Sequence, residues 1–195
     1  MPYNLALVTG ASGGIGRAIA IILAGKDLEM IITGRNEVQL KKVSAAIIKQ
    51  GHRCDYIAAD LNNTDQVDAL IRFLYKKKKN LSLLVHSAGV AQVGSCAKMP
   101  VGSWQETLQV NLTDPFLLTQ KCLPLMKSGS QIIFINSVAG KNAFADWSAY
   151  CTSKAGLKAY ADVLRLELQN RGIRVTTIFL SSVDTSMHDS LTYKW

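Results

Sequence analysis

The chain has 195 residues, 48% of them hydrophobic and 18% charged, a composition that fits one globular domain spanning residues 1–195. No apolar run approaches the ~20 residues that span a bilayer, and the first residues lack the pattern of a signal peptide, so we expect a cytoplasmic protein without a membrane partner. The net charge of +8 comes without interleaved aromatic residues or a basic groove motif, which argues against nucleic acid as a partner.

Neither the cysteines nor the densest basic run indicates a site. The cysteines (Cys54, Cys96, Cys122 and Cys151) are scattered without a Cys-x-x-Cys pair, so we expect reduced thiols and neither a disulfide framework nor a bound metal. The run 76–79 consists of four lysines at the predicted end of a helix. There the cations complement the helix dipole, and we expect them to be solvated.

Short apolar runs, each followed by an amphipathic stretch, predict strand and helix units along the chain. The first three units are residues 5–9 with 15–23, 29–33 with 37–49, and 54–59 with 64–77. The fourth strand, 81–86, precedes a long segment ending near Met126, and a helix carrying Tyr150 and Lys154 separates strands 132–136 and 173–179. This order predicts an α/β fold with a doubly wound, Rossmann-type parallel sheet of six strands and ligands at the carboxyl ends of those strands.

A glycine-rich turn lies between the first strand and the first helix. Glycines permit a tight turn and close backbone approach, and the helix N-terminus offers free amides to a pyrophosphate. The turn therefore predicts a dinucleotide cofactor, with a flexible surface loop as the alternative. The cofactor-binding residues predicted in this turn are Gly10, Ser12, Gly13, Gly14, Ile15 and Gly16.

The end of the second strand bears on which dinucleotide binds. An acidic residue there would bond the adenosine ribose of NAD, whereas an arginine accommodates the 2′-phosphate of NADP. The sequence has no acid at this point and continues with Arg35, which Arg17 is a candidate to assist. We therefore favour NADP over NAD.

Tyr150 and Lys154 are four residues apart on a predicted helix and so share one face. A phenol has a pKa near ~10, and a neighbouring ammonium lowers it toward the range of acid–base catalysis. The spacing thus indicates a proton donor whose pKa is lowered by the neighbouring ammonium. The alternative is a half-buried tyrosine with a satisfied hydroxyl.

Together these motifs resemble the short-chain dehydrogenase/reductase family from Leu5 to about Met187. The residues that match the family pattern are Gly10, Gly14, Gly16, Asp60, Asn111, Ser137, Tyr150 and Lys154. The resemblance implies hydride transfer between NADP(H) and a small-molecule carbonyl or secondary alcohol. It also implies a homo-oligomer, a dimer or tetramer, formed through the helices that bear Asn111 and Tyr150.

The resemblance also implies a role for each site residue. Tyr150 would give or take the proton of the substrate oxygen, which Ser137 would orient. Lys154 would lower the pKa of the phenol and hold the nicotinamide ribose, and Asn111 would keep a water in a proton relay. The remaining cofactor contacts would come from Asp60, Leu61, Ala88, Gly89, Val183 and Thr185. Two alternatives stay open: Ser137 caps a turn, and Asn111 mainly bonds the backbone near a helix irregularity.

Three departures from the family pattern matter. His86-Ser87 replaces a pair of asparagines, and we interpret His86 as a structural substitute, with an extra acid–base group as the alternative. Leu180-Ser181 stands where Pro-Gly is usual. The sequence stops at Trp195, before the family's substrate-covering segment and seventh strand, as in a fragment of a longer protein or one whose partner covers the sheet edge. A dinucleotide-binding sensor or scaffold with little catalysis is therefore the alternative function.

Substrate identity lies largely in the loops that follow the fourth, fifth and sixth strands, including residues 90–99 and 139–147. These loops mix small, apolar and aromatic residues. They predict a moderately hydrophobic substrate.

Overall fold

The computed structural model describes residues 4–25 and 28–183 and has a six-stranded parallel sheet at its centre. The strands stand in the order β3-β2-β1-β4-β5-β6. The chain thus winds outward from β1 in one direction and from β4 in the other, which confirms the predicted doubly wound sheet. The strands are β1 Asn4–Thr9, β2 Leu28–Gly34, β3 Cys54–Ala58, β4 Leu81–His86, β5 Gln131–Ser137 and β6 Arg174–Leu180.

Helices connect the strands and cover both faces of the sheet. The long segment after β4, which the sequence left undivided, contains two α-helices joined by the π-helix Gln109–Thr113 and followed by the 3-10 helix Leu123–Leu125. Two further 3-10 helices are Val138–Gly140 and Gln169–Arg171. The α-helices are α1 Gly14–Leu23, α2 Glu37–Lys49, α3 Thr64–Lys76, α4 Val101–Leu108, α5 Asp114–Cys122 and α6 Ser148–Leu168. No helix in the described part of the chain is long and apolar enough to cross a membrane.

The core has two halves, one on each face of the sheet. Leu5 and Leu7 of β1 point to one face and pack in a cluster that includes Leu157 of α6. The alternate residues Ala6 and Val8 point to the other face. These four residues of β1 are fully buried, which explains why apolar and polar residues do not alternate along the strand.

The helix beginnings differ in a way that bears on ligand binding. Asn36 and Asn63 cap α2 and α3, because their Oδ1 atoms accept hydrogen bonds from backbone amides at 3.1 Å. Helix α1 begins behind Gly13, which supplies no side-chain cap, and no acidic residue lies in its first turn. The N-terminal amides of α1 thus lack the side-chain acceptor that α2 and α3 possess.

A charge cluster after α3 corrects the expectation that lysines 76–79 are simply solvated. Lys77 and Lys79 place their Nζ atoms 2.6 and 2.5 Å from the carboxylate of Glu29, whose side chain is 8% exposed, and Lys77 also pairs with Asp55. Burial raises the pKa of Glu29, but hydrogen bonds and charge from the two lysines outweigh it, so the pKa is lowered. Lys77 and Lys79 therefore pair with the buried carboxylate of Glu29 on β2.

Candidate active site

A cleft of about 650 Å³ opens at the carboxyl ends of the strands. Its lining includes Ser137 and every described residue that the sequence analysis named for cofactor binding except Arg17. Three of the named residues are not in the lining. Asn111 lies behind it and Arg17 is exposed on α1, whereas Thr185 falls outside the described residues.

The glycine turn packs tightly against the loop that follows β4. Gly10 has φ +66°, and a Cβ added there would lie 2.7 Å from the backbone nitrogen of Ala88. The Thr9 hydroxyl joins the same two segments, since it accepts hydrogen bonds from the amides of Ser87 and Ala88 at 3.0 and 3.1 Å. A Cβ on Gly13, by contrast, would meet nothing within 4 Å. Gly10 is therefore required for the close packing of the two segments, while the absence of a side chain at Gly13 leaves space in the cleft.

Two side chains of opposite charge mark the end of the cleft beside β2 and β3. Arg35 is exposed and lines the cleft, and no ion pair within residues 4–25 and 28–183 engages its guanidinium. Asp60 also lines the cleft, and its Oδ1 accepts a hydrogen bond from the Asn62 amide at 3.1 Å. The position after β2 thus offers a cation and no acid.

Ser137 and Tyr150 meet where β5 faces the beginning of α6. Burial raises the pKa of the Tyr150 phenol, hydrogen bonding with Ser137 lowers it, and Cys151 raises it, leaving the pKa above its ordinary value. The Ser137 Oγ also accepts a hydrogen bond from the Ala139 amide at 3.2 Å, so it caps the short 3-10 helix as well. The capping interpretation and the interaction with Tyr150 both hold.

The net pKa of the Tyr150 phenol is raised by burial, and an effect of Lys154 on it stays a prediction. The Lys154 ammonium lies 5.6 Å from the centroid of the Tyr150 ring and donates a hydrogen bond to the Ile135 carbonyl at 3.2 Å. Lys154 is itself buried, and burial lowers its own pKa to about 8. Burial therefore disfavours the charged form of each group, the phenolate of Tyr150 and the ammonium of Lys154.

Asn111 lies in the π-helix, with its side-chain amide committed to the protein. Its Nδ2 donates to the Val90 carbonyl at 2.8 Å and the Ser153 hydroxyl at 3.0 Å, and its Oδ1 accepts from the Val90 amide at 2.9 Å. A Cβ on Gly89 would lie 3.2 Å from Asn111 Oδ1 and 3.7 Å from Lys154 Nζ, so the three residues converge. This geometry favours the alternative that Asn111 holds the loop after β4; the relay role stays a prediction.

Asn136, the last residue before Ser137, was missed as a site residue. Its Nδ2 donates to the Lys154 carbonyl at 3.0 Å, and its Oδ1 accepts from the Ser137 amide at 2.7 Å. It therefore ties the end of β5 to α6 and fixes Ser137 relative to Lys154. An amide side chain directly after the apolar run 132–135 was the available signal.

His86 lies outside the cleft lining and is fully buried. Its ring stacks on Phe134 with centroids 4.8 Å apart, and its Nε2 is 2.8 Å from the Thr119 hydroxyl. Burial lowers the pKa of the imidazole to about 3. A neutral, stacked ring away from the cleft supports the structural interpretation over an acid–base role.

Comparison with known proteins identifies the family. The sequence model for the family described as short chain dehydrogenase matches residues 4–194. The chain belongs to this family of short-chain dehydrogenases. It is thus a member of a family of oxidoreductases.

Relatives of this short-chain dehydrogenase resemble it along most of its length. A 3-oxoacyl-[acyl-carrier-protein] reductase from Synechocystis sp. is 34% identical over 192 residues, which cover 96% of this chain and 77% of the relative. A dehydrogenase/reductase from Sinorhizobium meliloti 1021 superimposes with a TM-score of 0.91 at 30% identity, covering 96% of this chain and 75% of that one. A metagenomic short-chain oxidoreductase in complex with NADP superimposes with a TM-score of 0.86 at 32% identity, covering 94% and 84%.

Proposed function

We propose that this short-chain dehydrogenase reduces a carbonyl substrate with NADPH, or oxidises the corresponding secondary alcohol with NADP⁺, with Tyr150 as the general acid or base. The observation that carries the proposal is that the catalytic candidates and the cofactor-binding candidates line the same cleft. Ser137, Tyr150 and Lys154 line it together with an uncapped, glycine-rich helix start and a cation after β2.

The residues of the glycine turn fit a dinucleotide. The open space at Gly13 and the uncapped amides of α1 suit a pyrophosphate, since backbone N–H groups at a helix N-terminus favour anions. Arg35 is available to a 2′-phosphate through its planar fork of donors. NADP is therefore the better match than NAD, and the NADP complex of the metagenomic relative supports this assignment.

The bound cofactor would supply the hydride for the carbonyl carbon. Tyr150 would donate its hydroxyl proton to the carbonyl oxygen, and the raised pKa of its phenol keeps that proton in place until it is needed. Ser137, which lines the same cleft as Tyr150, would hydrogen-bond the same oxygen and orient it. The Lys154 ammonium would stabilise the phenolate that remains after proton transfer.

The Tyr150→Phe variant tests this mechanism. We expect kcat to fall by about 10²- to 10⁴-fold because the proton donor is removed, while NADPH still binds. The assay follows the near-ultraviolet absorbance of NADPH with a panel of ketones and aldehydes. Tyr160→Phe is the matched control, because this tyrosine also belongs to α6 but lies outside the cleft lining. Undiminished turnover by Tyr150→Phe would refute the assigned role.

We also propose that the protein is a homo-oligomer. Large apolar side chains are exposed on α5, which follows directly on the π-helix bearing Asn111, and on α6, which bears Tyr150. Phe116 of α5 is 43% exposed, and Val163 and Leu166 of α6 are 54% and 72% exposed. A second copy covering these side chains would remove them from water. Static light scattering distinguishes a monomer from a dimer or tetramer.

A further inference from the structure

An aromatic turn stands beside Tyr150 in the loop between β5 and α6. Phe144 is 41% exposed although it is large and apolar, and it lines the cleft. Trp147 lines the cleft too, and its ring meets that of Tyr150 edge to face with centroids 5.5 Å apart. The Trp147 amide donates to the Phe144 carbonyl at 3.2 Å, which holds both aromatic residues in one turn.

The turn is tied to the loop that follows β4 by a backbone hydrogen bond. Asp146 has φ +66°, a left-handed conformation that is uncommon for a residue other than glycine. Its carbonyl accepts a hydrogen bond from the Gly94 amide at 2.8 Å, so the loop after β5 is joined to the loop after β4. A strained conformation held by a partner loop indicates that the aromatic wall is preformed.

Lys154 is the one cation in the described cleft lining that follows β4, β5 and β6, and the acidic residues there are Glu106 of α4 and Asp114 of α5. Residues 90–92, 138–139 and 180–183 contribute only apolar and neutral polar side chains. Lys141 belongs to the same loop as Phe144, but its ammonium lies 4.0 Å from the centroid of the Phe179 ring, and neither residue is in the lining. A carboxylate placed against this wall would lose its water without gaining a cation from these loops.

We propose that the substrate is a neutral ketone, or its alcohol, with a planar aromatic group next to the carbonyl, and that Phe144 and Trp147 select that group. This inference rests on the proposed function, because the position of the carbonyl is taken from Tyr150. Flat rings gain affinity from offset and edge-to-face contacts with aromatic side chains beyond the burial of apolar area. Phe144 and Trp147 are therefore specificity-determining residues.

The test compares three ketones of similar size: acetophenone, cyclohexyl methyl ketone, which lacks the flat ring, and 4-acetylbenzoate, which adds a carboxylate. We expect kcat/KM for acetophenone to exceed that for 4-acetylbenzoate by at least about tenfold and that for cyclohexyl methyl ketone by about threefold. Phe144→Ala should lower kcat/KM for acetophenone about five- to tenfold, mainly through KM, and leave acetone within about twofold. Tyr75→Ala is the control, since Tyr75 is 50% exposed on α3 outside the cleft lining.

Three results would overturn the inference. The first is equal kcat/KM for acetophenone and 4-acetylbenzoate, and the second is a kcat/KM for cyclohexyl methyl ketone that equals or exceeds that for acetophenone. The third is a Phe144→Ala variant that loses acetone and acetophenone equally. If the wild type turns over no ketone, the proposed function fails by itself. Calorimetric titration of acetophenone and 4-acetylbenzoate into the NADPH-loaded protein then decides the substrate class, and tighter binding of 4-acetylbenzoate would refute it.

Discussion

Alanine substitution at Gly10 and at Gly13, two glycines of the same turn, should separate the contribution of the turn to stability from its contribution to ligand binding. At Gly10 the left-handed conformation costs a Cβ-bearing residue ~1–2 kcal/mol, and the added methyl meets the Ala88 backbone at 2.7 Å. The contact adds strain because backbone atoms cannot swing aside. We expect a total loss of ~3 kcal/mol in the free energy of unfolding, which lowers Tm by about 6–12 °C in a protein of this size.

Gly13→Ala should behave differently, since its backbone is extended and its Cβ meets no protein atom within 4 Å. We expect a Tm within about 1–2 °C of the wild type. Its methyl would project into the space assigned to the pyrophosphate, so the Kd for NADPH should rise at least about tenfold, which equals ~1.4 kcal/mol.

Differential scanning calorimetry and NADPH fluorescence titration measure the two effects. Gly102→Ala is the control, because Gly102 is exposed on α4, outside the cleft lining, and an added Cβ there also meets nothing within 4 Å. NADPH binding by Gly13→Ala at wild-type affinity would show that the pyrophosphate does not lie against this turn. An unchanged Tm for Gly10→Ala would show that the steric argument is mistaken.

Two further predictions concern charge. Arg35→Asp should weaken NADPH binding ten- to a hundredfold more than NADH binding, since it removes a charge-assisted hydrogen bond worth ~1.5–3 kcal/mol; equal losses in fluorescence titration would remove the basis for NADP preference. Glu29→Gln should lower the free energy of unfolding by ~2 kcal/mol at pH 7 in urea titration, because two cations lose a buried partner. Since the pKa of Glu29 is lowered by folding, its contribution is complete above pH ~4.5 and is lost as the pH falls through the folded value, so variant and wild type should converge in acid. Asp162→Asn, which breaks the exposed pairs with Lys158 and Arg165, is the control and should cost ~0.5 kcal/mol or less; a pH-independent difference for Glu29→Gln would contradict the account.

Elements with a strong periodic signal were predicted to within a residue or two. The strand 81–86 and the helix 37–49 have the predicted ends, because an apolar run and an asparagine cap mark them locally. The division of the segment after β4 was not predicted. The π-helix Gln109–Thr113 contains Asn111, which bonds Val90 and Ser153, and such contacts between residues distant in sequence have no local signal.

The site residues were named by pattern, but their electrostatics required the fold. The i, i+4 spacing of Tyr150 and Lys154 gives proximity without burial, and burial decides the direction of both pKa values. Phe144 and Trp147 were not predicted as site residues for a similar reason. They lie in a turn with the left-handed Asp146, whose carbonyl bonds the Gly94 amide, and no local sequence motif predicts that contact.

The uncapped start of α1 has a consequence for the lifetime of the protein. Helices α2 and α3 each have an asparagine that accepts a hydrogen bond from an N-terminal amide, whereas α1 has no such side chain and leaves those amides to a ligand. A ligand that binds only the folded state stabilises it by about 2.7 kcal/mol at a hundred times its Kd. The concentration of the dinucleotide would therefore set how often the chain unfolds, and thus how long it survives proteolysis.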